Sequence, residues 1–138
     1  MLYRKIEKEI KEHLENNANT ILIVEGARQV GKSFIIRKVA QELFKNYIEI
    51  NFAEDKFQSK TFEQVSSVQD FYMKLSSVAG ERMNKKNDTI IFLDEIQEYP
   101  QFLTLLKFLN QDNKFTFIAS GSLLGITLNK TTSIPLGS

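Results

Sequence analysis

The sequence contains no cysteine and no tryptophan, and it has a single histidine, His13. Without cysteine the chain has no disulfides, no thiolate metal site and no thiol nucleophile. One histidine alone argues against a cluster of histidine ligands and against a catalytic triad that uses histidine as its base. These absences disfavour many metalloproteins and hydrolases, and they give no sign of an oxidising compartment.

Long apolar runs and a strong net charge are missing as well. No apolar run approaches the roughly 20 residues that span a membrane, and the charged N-terminal segment has no signal-peptide core. The formal net charge is +1, so no strong overall field attracts nucleic acid or an anionic membrane. We therefore expect a cytoplasmic protein without a membrane partner. Its 138 residues suffice for one domain with its own core.

The most informative stretch combines two glycines with a lysine and a serine. It matches the phosphate-binding pattern G-x-x-x-x-G-K-[ST] through Gly26, Ala27, Arg28, Gln29, Val30, Gly31, Lys32 and Ser33. The apolar run 21–24 precedes it as a buried strand would, and helical spacing follows over 34–44. In such loops, backbone N–H groups and the helix N-terminus surround phosphate oxygens. The lysine reaches the β- and γ-phosphates and the serine hydroxyl binds Mg²⁺, so the pattern predicts nucleotide binding.

A second motif follows the apolar run 89–93, which has the composition of a strand buried on both faces. It consists of Asp94 and Glu95, at the strand end where open α/β sheets bind their ligands. We expect Asp94 to hold Mg²⁺ beside Ser33, and Glu95 to polarise an attacking water. A GTPase would show D-x-x-G here and N-K-x-D later, and small-molecule kinases usually lack the second carboxylate. The acidic pair therefore favours ATP and its hydrolysis by water.

Three more polar residues fall at predicted strand ends. Ser120 and Ser122 lie at the end of the fourth predicted strand. In ATPases with a phosphate-binding loop and an acidic pair, that strand lies between the first and third, so either hydroxyl could contact the γ-phosphate or the attacking water as a sensor. The alternative is an ordinary Ser-Gly turn. Asn51 ends the second predicted strand, beside the strand of the acidic pair. It could restrain Glu95 until a partner docks, or it could bond its own backbone.

Helical and strand signals alternate along the chain. Helical spacing covers 2–16, 34–44, 68–79 and 100–109, with one helical turn at 61–64, and strand patterns cover 21–24, 47–52, 89–93 and 115–120. The first helix has an apolar stripe and a mixed-charge face, which fits a packing helix or, alternatively, a basic docking helix. The alternation predicts a three-layer α/β fold with a parallel sheet. No clear element follows residue 121.

The stretches GARQVGKS, IIFLDEIQ and IASGS together resemble one AAA+-like P-loop ATPase family of bacteria and archaea, over residues 18–125. The resemblance implies nucleotide and Mg²⁺ contacts for Lys32 and Ser33, a Mg²⁺ carboxylate at Asp94, a catalytic base at Glu95 and a sensor at Ser120 or Ser122. Members of the family are longer, with a further strand, a helical lid and a nuclease-like C-terminal domain. We therefore interpret residues 1–138 as one truncated ATPase domain that lacks the fifth strand and the lid.

Two functions remain open from the sequence: a Mg²⁺-dependent ATPase core that moves an attached C-terminal domain, and a nucleotide-dependent switch with negligible turnover. A small-molecule kinase would need a second substrate pocket, which the sequence does not reveal. Nucleic acid is expected as a partner only through regions outside this chain. The arginines are Arg4, Arg28, Arg37 and Arg82, and none follows the acidic pair, so we expect slow turnover. Without a fifth strand, residues 21–24 would form an open edge, and we expect self-association there.

Overall fold

The computed structural model describes residues 2–16, 21–26, 31–84, 88–112, 115–122 and 132–135. The helices are α1 (Leu2–Asn16), α2 (Lys32–Leu43), α3 (Phe52–Phe57), α4 (Val68–Ala79) and α5 (Gln101–Asp112). The strands are β1 (Leu22–Glu25), β2 (Asn46–Asn51), β3 (Thr89–Asp94), β4 (Thr116–Gly121) and β5 (Thr132–Pro135). Two 3-10 helices lie at Gly80–Asn84 and Ile96–Glu98. The strands form one parallel sheet in the order β2-β3-β4-β1-β5.

Helices cover both faces of the sheet, which confirms the predicted three-layer α/β fold. Successive side chains of β3 point to opposite faces, as the pleat of a strand requires: Phe92 packs with α1 and α2, and Leu93 packs with α4 and α5. The apolar stripe of α1 is buried in the first of these layers, so α1 is a packing helix. In the part of the chain that the structure describes, no helix is both long and apolar enough to cross a membrane.

The expectation that the fifth strand is missing is wrong. β5 lies parallel to β1, with Leu22 opposite Thr132 and Val24 opposite Ile134. β1 is therefore an interior strand between β4 and β5, and the open edge on which the predicted self-association depended does not exist. This strand is hard to predict from sequence because it has only four residues, two of them polar, and ends in Pro135, which suits an edge strand.

The region after β2 also differs from the prediction. The chain forms α3 directly after Asn51, and residues 61–64 form a turn instead of a helical turn. The side-chain oxygen of Asn51 accepts a hydrogen bond from the Glu54 backbone N–H at 3.0 Å and so caps α3. By contrast, the start of α4 is as predicted, because the Ser67 hydroxyl accepts a hydrogen bond from the Asp70 N–H.

A buried carboxylate in α3 organises the loop that follows and joins it to the segment after β3. Asp55 accepts hydrogen bonds from the backbone N–H groups of Thr61 (3.1 Å) and Phe62 (2.9 Å) and from the Tyr99 hydroxyl (2.8 Å). Burial and the bond to Asp55 both raise the pKa of Tyr99, so the phenol remains a donor. Asp55 therefore holds α3 against the residues that follow the acidic pair.

Replacing this carboxylate should cost the fold a large part of its stability. We expect Asp55→Ala to lower the free energy of unfolding by about 2–4 kcal/mol, because the buried Phe62 N–H and the buried Tyr99 hydroxyl would lose their acceptor. Urea denaturation followed by circular dichroism measures the change. Glu54→Ala, at the exposed neighbouring position, is the matched control and should lose less than about 1 kcal/mol. Equal losses in the two variants would contradict this role of Asp55.

Candidate nucleotide site

Apart from Asn51 at the end of β2, the predicted site residues converge at the carboxyl ends of three adjacent strands. β1 leads into the glycine-containing loop, β3 ends in Asp94 and β4 ends in Gly121, with β4 between the other two. The Gly26 N–H donates a hydrogen bond to the Gly121 carbonyl at 3.2 Å. The start of the loop is therefore fastened to the end of β4, beside the acidic pair.

The second glycine of the loop shapes the start of α2. Gly31 has φ 73° and ψ 18°, a left-handed conformation that glycine adopts without a steric penalty. It offers no side chain to cap α2, so the first N–H groups of this helix are suited to bind an anion. The loop residues between the two glycines, Ala27, Arg28, Gln29 and Val30, lie outside the described residues. Their predicted contacts with phosphate stay a prediction.

Lys32 is buried at the start of α2 and faces a carboxylate. Its residue surface is 2% exposed, and its Nζ lies 3.4 Å from Oε1 of Glu95. Charge-assisted hydrogen bonds of this type are usually 2.7–2.9 Å long. The separation here is longer, so the pair is a loose one, and a more highly charged phosphate can compete with Glu95 for the ammonium.

Asp94 accepts hydrogen bonds from three groups of the site. Its Oδ2 accepts from the Ser33 hydroxyl at 2.7 Å, and its Oδ1 accepts from the Ser120 hydroxyl and from the Glu95 N–H. Cis ligands of an octahedral Mg²⁺ with bonds of 2.0–2.1 Å lie about 2.9 Å apart. The Ser33 and Asp94 oxygens therefore have a spacing that fits Mg²⁺. No group of three or more acidic, histidine or cysteine side chains suited to a metal occurs among the described residues, and Mg²⁺ usually needs only one or two from the protein.

Glu95 turns the chain away from the sheet. It has φ 56° and ψ 49°, a left-handed conformation that costs a residue other than glycine about 1 kcal/mol or more. Its side chain points back into the site, where Oε2 accepts a hydrogen bond of 2.6 Å from the Gln97 amide. The Gln97 oxygen in turn accepts from the Ser122 backbone N–H at 3.1 Å. Gln97 was not among the predicted site residues, although its place two residues after the acidic pair was a signal.

A cavity of about 500 Å³ opens beside the acidic pair. It is lined by Ser33, Arg37, Asn51, Ala53, Glu54, Phe57, Gln58, Asp94 and Glu95. Its volume lies within the usual range of ligand pockets. Asn51 thus shares a cavity with Glu95, but the one hydrogen bond described for its side chain is the cap of α3, in line with the local alternative for this residue. The restraining role stays a prediction.

The arginine in this cavity is engaged by another carboxylate. The Arg37 guanidinium donates two hydrogen bonds to Glu49, of 2.7 and 2.8 Å, and the Tyr47 hydroxyl donates to the same group. Burial acts to raise the pKa of Glu49, but the bonds from Arg37 and Tyr47 outweigh it and lower this pKa below its ordinary value. Glu49 therefore stays ionised, and Arg37 is held on β2.

Comparisons with known proteins bear on the family and the fold of this chain. The sequence model of the AAA domain family matches residues 18–138. The fold is similar to that of PCH-2 from C. elegans, with a TM-score of 0.60 at 14% sequence identity, and the match covers 99% of this chain but only 43% of the PCH-2 chain. No curated protein sequence matches. Because the family match includes the loop, the acidic pair and all five strands, the chain belongs to the AAA domain family, whose members are nucleotide-binding ATPase domains.

Proposed function

We propose that this chain binds ATP together with Mg²⁺ and hydrolyses it, as the ATPase core of a longer AAA+-like protein with a further C-terminal domain. The observation that carries the proposal is the convergence of four side chains from two distant motifs. Ser33 contacts Asp94 and Lys32 contacts Glu95, although the partners are 61 and 63 residues apart in the sequence. A phosphate loop, a carboxylate with Mg²⁺ spacing and a second carboxylate are the parts that phosphoryl transfer to water requires.

Each side chain has a defined task in this proposal. Lys32 exchanges its loose contact with Glu95 for the β- and γ-phosphates, and the N-terminus of α2 donates further hydrogen bonds. Ser33 and Asp94 would hold Mg²⁺, which when bound neutralises charge on the phosphates. Glu95 accepts a hydrogen bond from the attacking water and polarises it. Ser120 or Ser122 contacts the γ-phosphate or the water as a sensor.

The alternative, a nucleotide-dependent switch with negligible turnover, is supported by the positions of the arginines. Arg37 is held by Glu49, and Arg82 donates to the backbone carbonyls of Ala79 and Tyr47. An arginine that stabilises the transition state is worth about 10³–10⁵ in rate. Arg37 lines the cavity beside the acidic pair but is bound to Glu49, and Arg82 is bound to backbone carbonyls, so we expect turnover by this chain alone to be slow.

Nucleotide titration with phosphate release tests the proposal and separates its two forms. ATP, ADP and GTP are titrated with and without Mg²⁺, and phosphate is measured in single turnover with the protein in excess. We expect ATP and ADP to bind, ATP binding to depend on Mg²⁺, and phosphate to form slowly. Failure to bind any nucleotide would overturn the proposal. Binding without phosphate release would leave only the switch.

Asp94→Asn should weaken the effect of Mg²⁺ while sparing the fold. The amide keeps the size of the side chain and an oxygen for Ser33 or Ser120, but it removes the charge that would hold the ion. We expect the Mg²⁺ requirement of ATP binding to rise by about 10- to 100-fold in concentration, as measured by calorimetry at several Mg²⁺ concentrations. Glu98→Gln removes a nearby carboxylate outside the site and is the control. An unchanged Mg²⁺ requirement in Asp94→Asn would exclude Asp94 as the metal carboxylate.

A further inference from the structure

Gln97 connects two parts of the site that the proposed function treats separately. Its amide nitrogen lies 2.6 Å from Oε2 of Glu95, and its amide oxygen lies 3.1 Å from the Ser122 backbone nitrogen. The 3-10 helix Ile96–Glu98 produces this placement, because the left-handed turn at Glu95 folds the chain back and sets Gln97 beside the carboxylate. One side chain thus reaches both the end of β3 and the end of β4.

The chemistry of the two neighbours fixes the orientation of this amide. A carboxylate accepts hydrogen bonds and a backbone N–H donates them, so the Gln97 nitrogen must face Glu95 and its oxygen must face Ser122. Glutamine is well suited to this position because its side chain carries one donating and one accepting group at the required reach. Glutamate would place an acceptor against an acceptor, and methionine would offer neither group.

The end of β4 leaves room for Gln97 only because a glycine stands there. A Cβ atom at Gly121 would lie 2.3 Å from the Gln97 amide oxygen and 3.1 Å from both the backbone nitrogen and the Cγ2 of Ile96. Contacts this close would displace the side chain of Gln97 or the 3-10 helix itself. The same glycine accepts a hydrogen bond from the Gly26 N–H at the start of the phosphate loop. The side chain of Gln97 is therefore positioned by the start of the phosphate loop, by the end of β4 and by the segment after β3.

We propose that Gln97 is a positioning residue, which holds the Glu95 carboxylate and couples it to the end of β4. This inference rests on the proposed function, in which Glu95 polarises the attacking water. Oε1 of Glu95 faces Lys32, whereas Oε2 is held by Gln97. When phosphate attracts Lys32, Gln97 keeps the carboxylate in place and Oε1 can turn from the ammonium to the water. A shift of Ser122 on γ-phosphate binding would be passed to Glu95 through the same amide.

Steady-state kinetics of three variants, together with ATP titration, tests this role. We expect Gln97→Met to lower kcat by about 10- to 100-fold, because a base misplaced by about 1 Å loses that much rate, and to leave KM and the ATP dissociation constant within about twofold. Gln97→Glu should lose more than Gln97→Met, since it turns a second carboxylate toward Glu95. Gln101→Met is the matched control: it removes the hydrogen bond that the side-chain amide of Gln101, at the start of α5, donates to the Glu63 backbone carbonyl, and it should leave kcat unchanged.

The relative losses of kcat in the three variants distinguish a positioning role from structural support alone. If Gln97 acted only through its bond to Ser122, Gln97→Glu would keep the accepting oxygen and remain close to wild type, and that result would overturn the inference. Wild-type kcat in Gln97→Met would overturn it too. Equal losses in Gln97→Met and Gln101→Met, with lowered thermal stability in both, would assign the effect to folding.

An experiment without turnover keeps the inference distinct from the proposed function. In a ¹⁵N–¹H spectrum of the nucleotide-free chain, the side-chain amide signals of Gln97 are assigned by their loss in Gln97→Met. These signals should shift in Glu95→Ala, and the Ser122 backbone signal should shift in Gln97→Met. Absence of both shifts would overturn the inference even if the wild type hydrolyses ATP. A wild type that hydrolyses nothing but shows both shifts would refute the proposed ATPase and retain the coupling of Gln97 to Glu95.

Discussion

Lys32→Ala is expected to lower the affinity for ATP by at least about 100-fold, since hydrogen bonds to charged groups contribute about 1.5–3 kcal/mol each. The ammonium lies in a site from which water is largely excluded, as its 2% exposure shows. There it would meet the most highly charged part of the ligand, where charge-assisted bonds are strongest. Calorimetric titration with ATP in the presence of Mg²⁺ measures the loss. Binding at wild-type affinity would refute the assignment of the loop.

The buried contact between Lys32 and Glu95 requires a control for folding. Removing one member of a buried ion pair leaves the other without its partner and destabilises the fold, although Glu95 keeps its hydrogen bond with Gln97. We expect Lys32→Ala to remain folded, which circular dichroism and thermal melting check. The double variant Lys32→Ala, Glu95→Gln no longer leaves a charged Glu95 without its ion-pair partner and should fold at least as well as the single variant. The double variant should still fail to bind ATP tightly. If it regained ATP affinity, the defect of Lys32→Ala would come from the unpaired Glu95 carboxylate and not from the loss of the ammonium.

The parts of the site that the sequence predicts are those whose chemistry resides in consecutive residues. The phosphate loop must join a strand to a helix through glycines, and the acidic pair must end a buried strand, so both carry local patterns. The spacing of Ser33 and Asp94 confirms that the two motifs meet, and the strand order confirms that β2 and β4 flank β3. The alternation of strand and helix patterns along the sequence likewise predicted the three layers of the fold.

The features that the sequence did not reveal depend on contacts between distant residues. β5 exists because it adds backbone hydrogen bonds to β1, and four residues of mixed polarity cannot show this locally. α3 depends on the cap from Asn51 and on bonds that Asp55 makes to the following loop and to Tyr99. Gln97 acquires its place only when the end of β4 lies beside it, which no pattern in either segment specifies.

Glu95→Gln should retain ATP binding and lose hydrolysis. The amide has nearly the shape of the carboxylate but cannot accept a proton from water, and general-base catalysis contributes about 10²–10⁴ in rate. Its effect on binding follows from the contact between Lys32 and Glu95. Because a neutral amide no longer competes with phosphate for the ammonium, we expect the variant to bind ATP as tightly as the wild type or slightly more tightly.

Phosphate release in single turnover and calorimetric ATP binding, both with Mg²⁺ present, distinguish the two carboxylates. Glu95→Gln should lower the rate of phosphate release and leave the ATP affinity unchanged. Asp94→Asn should instead raise the Mg²⁺ concentration that ATP binding requires, because Oδ2 of Asp94 lies 2.7 Å from the Ser33 hydroxyl, a spacing that suits the ion. Glu98→Gln should change neither quantity. If Glu95→Gln and Asp94→Asn show the same defect, the two carboxylates do not divide the roles of base and metal ligand. Wild-type phosphate release by Glu95→Gln would show that Glu95 is not the base of the reaction.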